Sequence, residues 1–325
     1  MPKDMAEATS RIIHGFQKSE RKGIAKLSAM QALPESVNQT EYPFSRAEVE
    51  RVQFEGSPDA MRIQAFSYLA RRMPSVHAVY TRSLVEVSKR LPSFEPRSML
   101  HYGAGCGEGV WASRAIFADK LSHPKARITA IEPSDAFRQA GQALTGSTRS
   151  MSGVKWKPRL PPGYDADPTD SSWDLVLCSF IQTNMSPDAR RAAIASLWAR
   201  CTGVLLLVEP GTVEGYESLM AARTQLFDEL GGRVAAPCPH EKPCPMYSQN
   251  YMKKRHCYWS QRHIMPPYQK TALGKNKAFD MSNFKFTYLA VAREDVFAKD
   301  ITGATVPRRT KGMGKKGEEE DEETE

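Results

Sequence analysis

Apolar positions follow helical spacing through the first part of the chain and then change period. Ile63, Phe66, Tyr68 and Leu69 form the apolar stripe of one helix. Pro74 opens another, with Val76, Val79, Tyr80, Leu84 and Val87 on one face, and Pro92 ends it. Upstream, Ser45 with Glu48 three residues on reads as a capping box. From Ser98 the pattern alternates between strand and helix. Strands are predicted at Ser98–Tyr102, Arg127–Glu132, Trp173–Cys178 and Val204–Val208, and helices at Val110–Leu121, Asp135–Leu144, Pro187 to about Cys201, and Glu214–Leu230. Ser186-Pro187-Asp188 combines an N-cap, a first-turn proline and an acid at the helix dipole. Val204–Val208 is apolar throughout, as a strand covered on both faces must be. Two further strands, His256–Arg262 and Phe284–Arg293, follow without a helix between them and predict an antiparallel edge.

Alternating strand and helix predicts an α/β fold, a doubly wound Rossmann-like sheet. Its expected divisions are a flexible segment over 1–45, a helical region over 46–92, a sheet domain over 93–295, and a disordered charged tail over 296–325. At 325 residues the chain can bury a sizeable core, and no stretch is apolar for 18 residues, so no membrane contact is expected. Residues 1–26 carry Lys3, Arg11, Lys18, Arg21, Lys22 and Lys26 with Ile12, Ile13 and Phe16 on one helical face. They are similar to an organelle transit peptide, with Asp4, Glu7 and Glu20 against that reading.

Charge is unevenly spread. The formal net charge is +8, yet residues 233–293 hold eleven Lys/Arg against Glu241 and Asp280, and Glu318–Glu325 holds seven acids. The basic block interleaves Tyr247, Tyr251, Tyr258, Trp259 and Tyr268, a combination suited to phosphate contact and base stacking. A solvated basic surface is the alternative.

Three of the six cysteines fall within 21 residues. Cys238 and Cys244 each sit between two prolines, and Cys257 follows His256. Proline fixes φ and keeps such a loop out of helix and central strand, so these thiols are presented rather than packed. The other three, Cys106, Cys178 and Cys201, lie in glycine-rich or apolar segments and give no disulfide framework. Cys238, Cys244 and Cys257 are therefore candidate metal ligands, with His240, His256 or His263 as a fourth donor to zinc. Three unligated thiols remain the other reading.

The turn Gly103-Ala104-Gly105-Cys106-Gly107 follows the first strand and opens a helix, and Glu132 ends the next strand. Glycines allow a ligand close to the backbone, and an acid at that strand end can accept ribose hydroxyls. Gly103, Gly105, Gly107 and Glu132 are candidate cofactor-binding residues, and the spacing favours a methyltransferase-type site over a dinucleotide site. A glycine turn that binds nothing is the alternative. No catalytic residue is assigned.

Tyr68-Leu69-Ala70-Arg71-Arg72-Met73-Pro74, Phe94-Glu95-Pro96-Arg97-Ser98, Trp111-Ala112, Val208-Glu209-Pro210-Gly211-Thr212 with Gly215, Pro237-Cys238-Pro239-His240 with Cys244-Pro245, Cys257 with Ser260-Gln261-Arg262, and Phe286-Thr287-Tyr288-Leu289 run in one order over about residues 60–295. On these segments the chain resembles the methyltransferase-like family associated with the mitochondrial small ribosomal subunit, which also has bacterial members. The resemblance implies a seven-stranded class I S-adenosylmethionine-dependent methyltransferase fold with a metal-binding insertion over 233–263. It also implies a mitochondrial location, and partnership with small-subunit rRNA and ribosomal proteins in assembly or maturation. S-adenosylmethionine and a four-iron four-sulfur cluster are its cofactors, Cys238, Cys244 and Cys257 matching three of four cluster ligands. An active rRNA methyltransferase is the alternative function. Two positions depart from the family pattern: His101 stands where an acid usually ends the first strand, and no cysteine follows Cys257.

Overall fold

The computed structural model describes residues 1–14, 58–160, 172–238, 240–247, 256–272 and 281–300. The proposed capping box at Ser45 lies outside them. Helices α1 (Lys3–His14), α2 (Pro58–Arg71) and α3 (Met73–Arg90) precede strand β1 (Ser98–Tyr102). Then follow α4 (Glu108–Ile116), α5 (Ala118–Leu121), β2 (Arg127–Ile131), α6 (Asp135–Gly146), β3 (Val154–Lys157), β4 (Trp173–Ser179), α7 (Pro187–Ala199), β5 (Cys201–Pro210) and α8 (Val213–Thr224). The chain closes with β6 (Arg233–Ala236), β7 (Trp259–Ile264), α9 (Pro267–Ala272), β8 (Met281–Ala292) and α10 (Glu294–Asp300).

One mixed sheet runs β3-β2-β1-β4-β5-β8-β6, with β7 also paired to β8. The first five strands are parallel, and β8 is antiparallel to β5, β6 and β7. The sheet has eight strands rather than the seven expected. β8 is 12 residues long, so its outer edge accommodates two short strands end to end: β6 at Ala290–Ala292 and β7 at Met281–Phe286. The expected antiparallel edge is present, with the short helix α9 between its strands.

Alternate residues of each strand serve opposite faces. Met99, Leu175, Leu177, Val204, Leu206 and Val208 join α3, α4 and α6 in one core, with Val79, Leu84, Val110 and Ala140. Leu100, Val176, Cys178, Leu205 and Leu207 join α7 and α8 in the other, with Ile194, Trp198, Leu219 and Leu226. A sheet buried on both sides needs apolar residues at both parities, which is why Val204–Val208 is unbroken. Each fully buried aliphatic side chain here contributes about 1.5–3 kcal/mol.

The ends of elements follow from local chemistry. Ser186 caps α7 by accepting from Ala189 N (3.3 Å), as its sequence predicts, and Thr212 caps α8 by accepting from Gly215 N (3.2 Å). The helix expected over 110–121 breaks at Phe117 into α4 and α5. Arg293 ties the start of β5 to the end of α7, donating to Cys201 O (2.7 Å) and Trp198 O (2.6 Å) with its guanidinium over the Trp198 ring.

Two expected boundaries shift. Residues 3–14, expected within a flexible segment, form a helix whose Met5 and Ala8 are fully buried in the first core. The charged tail was expected from residue 296, but α10 runs across that point and buries Phe297 beside Arg233. Among the described residues no helix is long and apolar enough to cross a membrane.

Candidate cofactor cleft and cysteine cluster

The glycine turn leaves the end of β1 with Gly103, Gly105 and Gly107 all at positive φ (73°, 55° and 91°). That region carries a steric cost for a side chain, which explains three glycines at alternate positions. Gly103 N and Ala104 N donate to Ile131 O (3.1 and 2.9 Å), which fastens the turn to the end of β2. Glu132 completes the link: Oε2 accepts from Gly105 N (2.9 Å) and Oε1 from Ser134 N (3.0 Å). Arg138 donates to Glu132 O (2.7 Å) and pairs with Asp135. Burial raises the Glu132 pKa against these donors. The structure thus brings all four predicted cofactor residues together.

The three turn glycines face different surroundings. A Cβ at Gly103 would meet Ile181 at 2.9 Å, and one at Gly107 would meet Trp156 at 3.2 Å. At Gly105 it would meet the two carboxylate oxygens of Glu108 at 3.4 Å and the Tyr68 hydroxyl at 3.7 Å. Gly105 is the turn glycine that looks onto polar groups. Glu108 is 1% exposed, and its pKa is pushed up to about 7 by burial, with the Tyr68 hydrogen bond and nearby backbone N–H groups opposing. Tyr68 donates to its Oε1 and packs edge-on against Phe137 (5.3 Å).

Beneath the turn lies His101. It is fully buried, bonds through Nε2 to the Tyr80 hydroxyl (2.8 Å), and is held neutral, with its pKa pushed down to about 3 by burial. An imidazole here fills space against Gly109, where a Cβ would lie 2.6 Å from the ring, and supplies no negative charge.

The neighbouring loop after β4 is fixed by an acid at the end of β5. Glu209 is fully buried and accepts from Ile181 N (3.2 Å), Gln182 N (3.0 Å) and the Thr183 hydroxyl (3.2 Å). Even so, burial pushes its pKa up to about 7. Phe180, at φ 58°, begins this loop and stacks edge-on against Tyr80 and Phe284.

Tyr68, Glu108 and Glu209 were not among the residues singled out by sequence as site residues. Two of them stood in quoted segments, Tyr68 before Leu69-Ala70-Arg71 and Glu209 before Pro210-Gly211. Glu108 directly follows the glycine turn, where an acid gains from the helix N-terminus.

The second assembly is the cysteine loop. Cys238 follows β6, Cys244 opens a short 3-10 turn, and Cys257 precedes β7. All three are half-buried. Tyr216 of α8 reaches Cys244 Sγ with its hydroxyl (3.3 Å), and all three thiols raise the Tyr216 pKa beyond the effect of burial. Burial raises the Cys238 pKa, with Cys244 adding, and pushes Cys257 up to about 11, with Cys244 and Cys238 adding. The three thiols therefore lie within one electrostatic neighbourhood. Among the described residues no three His, Cys, Asp or Glu side chains are arranged to hold a metal ion. The donor chemistry fits a soft metal or an iron–sulfur cluster, and the sulfurs must draw together to bind one.

Other side chains fix the loop to the fold. Arg90 donates to Pro237 O (3.1 Å) and Arg223 to Lys242 O (3.0 Å). Glu241 is buried against Arg233, which also pairs with Glu294. His256 bonds through Nε2 to Gly211 O (3.0 Å) and sits beside Tyr216. His263 is removed from the list of fourth donors: its Nε2 pairs with Gln269 (3.2 Å) and lies by Ser75, because odd positions of β7 face inward toward α3.

The basic block divides. Arg233 and Arg293 are committed to internal partners. Arg262 and Lys242 are exposed, and Lys285 lies over the exposed Tyr258 ring (4.9 Å). Lys253, Lys254, Arg255, Lys275 and Lys277 lie outside the described residues.

Residues 62–316 match the family described as Mitochondrial small ribosomal subunit Rsm22. The chain belongs to this family. Among its relatives is the human Ribosome assembly protein METTL17, mitochondrial, 28% identical over 228 residues that cover 66% of this chain and 47% of that protein. The Rsm22-cox11 tandem protein 2, mitochondrial, of Schizosaccharomyces pombe is 22% identical over 252 residues, covering 71% of this chain and 32% of that one. The chain thus spans less than half the length of these relatives. A solved plantazolicin methyltransferase overlaps with a TM-score of 0.42 at 8% identity, covering 84% of this chain and 98% of that one, which is too loose to carry an argument. For this Rsm22-family chain the strand order itself carries the fold.

Proposed function

We propose that this chain is an assembly or maturation factor of the mitochondrial small ribosomal subunit. It would bind small-subunit rRNA and ribosomal proteins and hold an iron–sulfur cluster through Cys238, Cys244 and Cys257. Membership of the Rsm22 family is the observation that carries the ribosomal and mitochondrial parts of this reading. The shared surroundings of the three thiols support the cluster, with zinc completed by His240 or His256 as the alternative. Bound there, either group would supply a covalent tie across the loop between β6 and β7. The chain's own residues do the rest: Arg90, Arg223 and Glu241 hold the loop against the sheet, and Arg262, Lys242 and Lys285 offer cations to phosphate.

Analysis of iron, sulfide and zinc in anaerobically purified protein tests the metal. The expected result is a four-iron cluster, lost when Cys238 and Cys244 are both replaced by serine, with a fall in thermal stability. Neither metal copurifying, together with unchanged stability of the double variant, would sink the proposal. For RNA, affinity for small-subunit rRNA fragments is expected to fall steeply between about 50 and 200 mM salt, as counterion release demands. A flat salt dependence would count against the basic surface.

The second reading is an S-adenosylmethionine-dependent rRNA methyltransferase. It is favoured by the left-handed glycine turn held by Glu132, with Gly105 facing polar groups. Gly103, Gly105, Gly107 and Glu132 would hold the cofactor, which supplies the transferable methyl group. Calorimetric titration separates the readings: retained rRNA binding without cofactor binding leaves the assembly role alone.

A further inference from the structure

Tyr216 meets the cysteine cluster from outside the cysteine loop. It lies early in α8, where the Thr212 cap fixes the helix start, and it is 4% exposed. Its ring sits between Tyr247 (6.2 Å) and His256 (6.4 Å), and His256 is itself tied to Gly211 O. The hydroxyl stands 3.3 Å from Cys244 Sγ, and that sulfur is its hydrogen-bond partner among the described residues. Phenylalanine would serve for packing alone. A tyrosine hydroxyl in a nearly buried position calls for a polar partner, and here the partner is one of the three clustered thiols.

A free thiol can donate to the phenol or accept from it. A ligating thiolate can only accept, because metal binding removes its proton. A tyrosine hydroxyl is protonated at neutral pH, so it is the donor to a ligating sulfur. We propose that Tyr216 is the positioning residue of the cysteine site: its O–H···S bond orients Cys244 as a ligand and draws charge from the sulfur, which favours the reduced form of a cluster and slows loss of the metal. Hydrogen bonds from outside the ligand set act in this way on both metal affinity and reduction potential. This rests on the reading of the three thiols as ligands, and it goes further by naming a residue of α8 that sets how tightly and at what potential the metal is held.

Two measurements on the anaerobically purified full chain test it: redox titration followed by electron paramagnetic resonance, and the rate at which a chelator removes the metal. Tyr216→Phe is expected to carry as much metal as wild type, to show a lower reduction potential, and to release the metal about tenfold faster. Tyr247→Phe, which removes the hydroxyl of the exposed neighbouring ring, should match wild type in both. Loss of the metal from a Tyr216→Phe chain that melts as wild type does also supports the inference. If zinc copurifies in place of iron, the release rate alone decides. Equal potentials and equal release rates in wild type and Tyr216→Phe overturn the inference while the metal site stands. A wild-type chain that holds neither iron nor zinc overturns both.

Discussion

Replacing Glu209 by alanine is expected to lower the unfolding free energy by about 3–5 kcal/mol. The acid accepts from two backbone N–H groups and one hydroxyl, and it is fully buried at the end of β5. Each buried donor left without an acceptor costs about 1–3 kcal/mol. Recovery of the burial penalty on the acid itself offsets part of the sum. Glu209→Gln keeps one oxygen for these donors and is expected to lose about half as much. Urea unfolding of the three proteins checks the ranking. A loss below about 1 kcal/mol for alanine would mean that the loop after β4 finds other acceptors and that Glu209 is not its anchor.

Glu108→Gln should behave in the opposite sense, gaining stability relative to wild type as pH rises. In the unfolded chain the carboxyl ionises near 4.5, and in the folded protein its pKa is about 7. Between these values the folded state binds more protons, so wild-type stability falls as pH rises through this window and levels off above it. About 2.5 units of difference correspond to about 3 kcal/mol. Glutamine carries none of this dependence. Glu209 titrates over the same range, but it is present in both proteins and cancels in the comparison. Tyr68, Glu132, Cys106 and Tyr80 also face this region, and they too are common to both. Urea midpoints from pH 5 to pH 8 should diverge, whereas parallel profiles would show that Glu108 is not buried as an acid in solution.

What the sequence disclosed follows from how strongly each element depends on its own pattern. β1 was predicted at its observed bounds, because its apolar run is closed by a glycine turn. α7 began where its cap and proline placed it. β3 and β6 were missed: each has four residues, too few to show a period, and β3 alternates lysine with half-buried residues at the sheet edge. The eighth strand was hidden in the length of β8, since a pattern of apolar residues does not say how many partners share one edge. Gly103, Gly105, Gly107 and Glu132 stand out in the sequence as candidates because the glycine turn and the acid ending the next strand are local patterns. Glu108 does not, since its burial comes from Tyr68, 40 positions earlier. His263 was misread as a candidate ligand because alternation along β7, not nearness in sequence, decides which way it points.

The long β8 has one more consequence. Ala236, at the end of β6, faces Ala290, and Trp259, at the start of β7, faces Phe286. The cysteine loop thus leaves and rejoins the same strand four positions apart, a span of about 13 Å. Its closure is therefore settled by the sheet, and the loop can open or tighten without any strand separating. In hydrogen exchange, β8 amides should report global unfolding, while those of residues 240–247 should exchange as an independent local unit whose protection follows the occupancy of the three thiols.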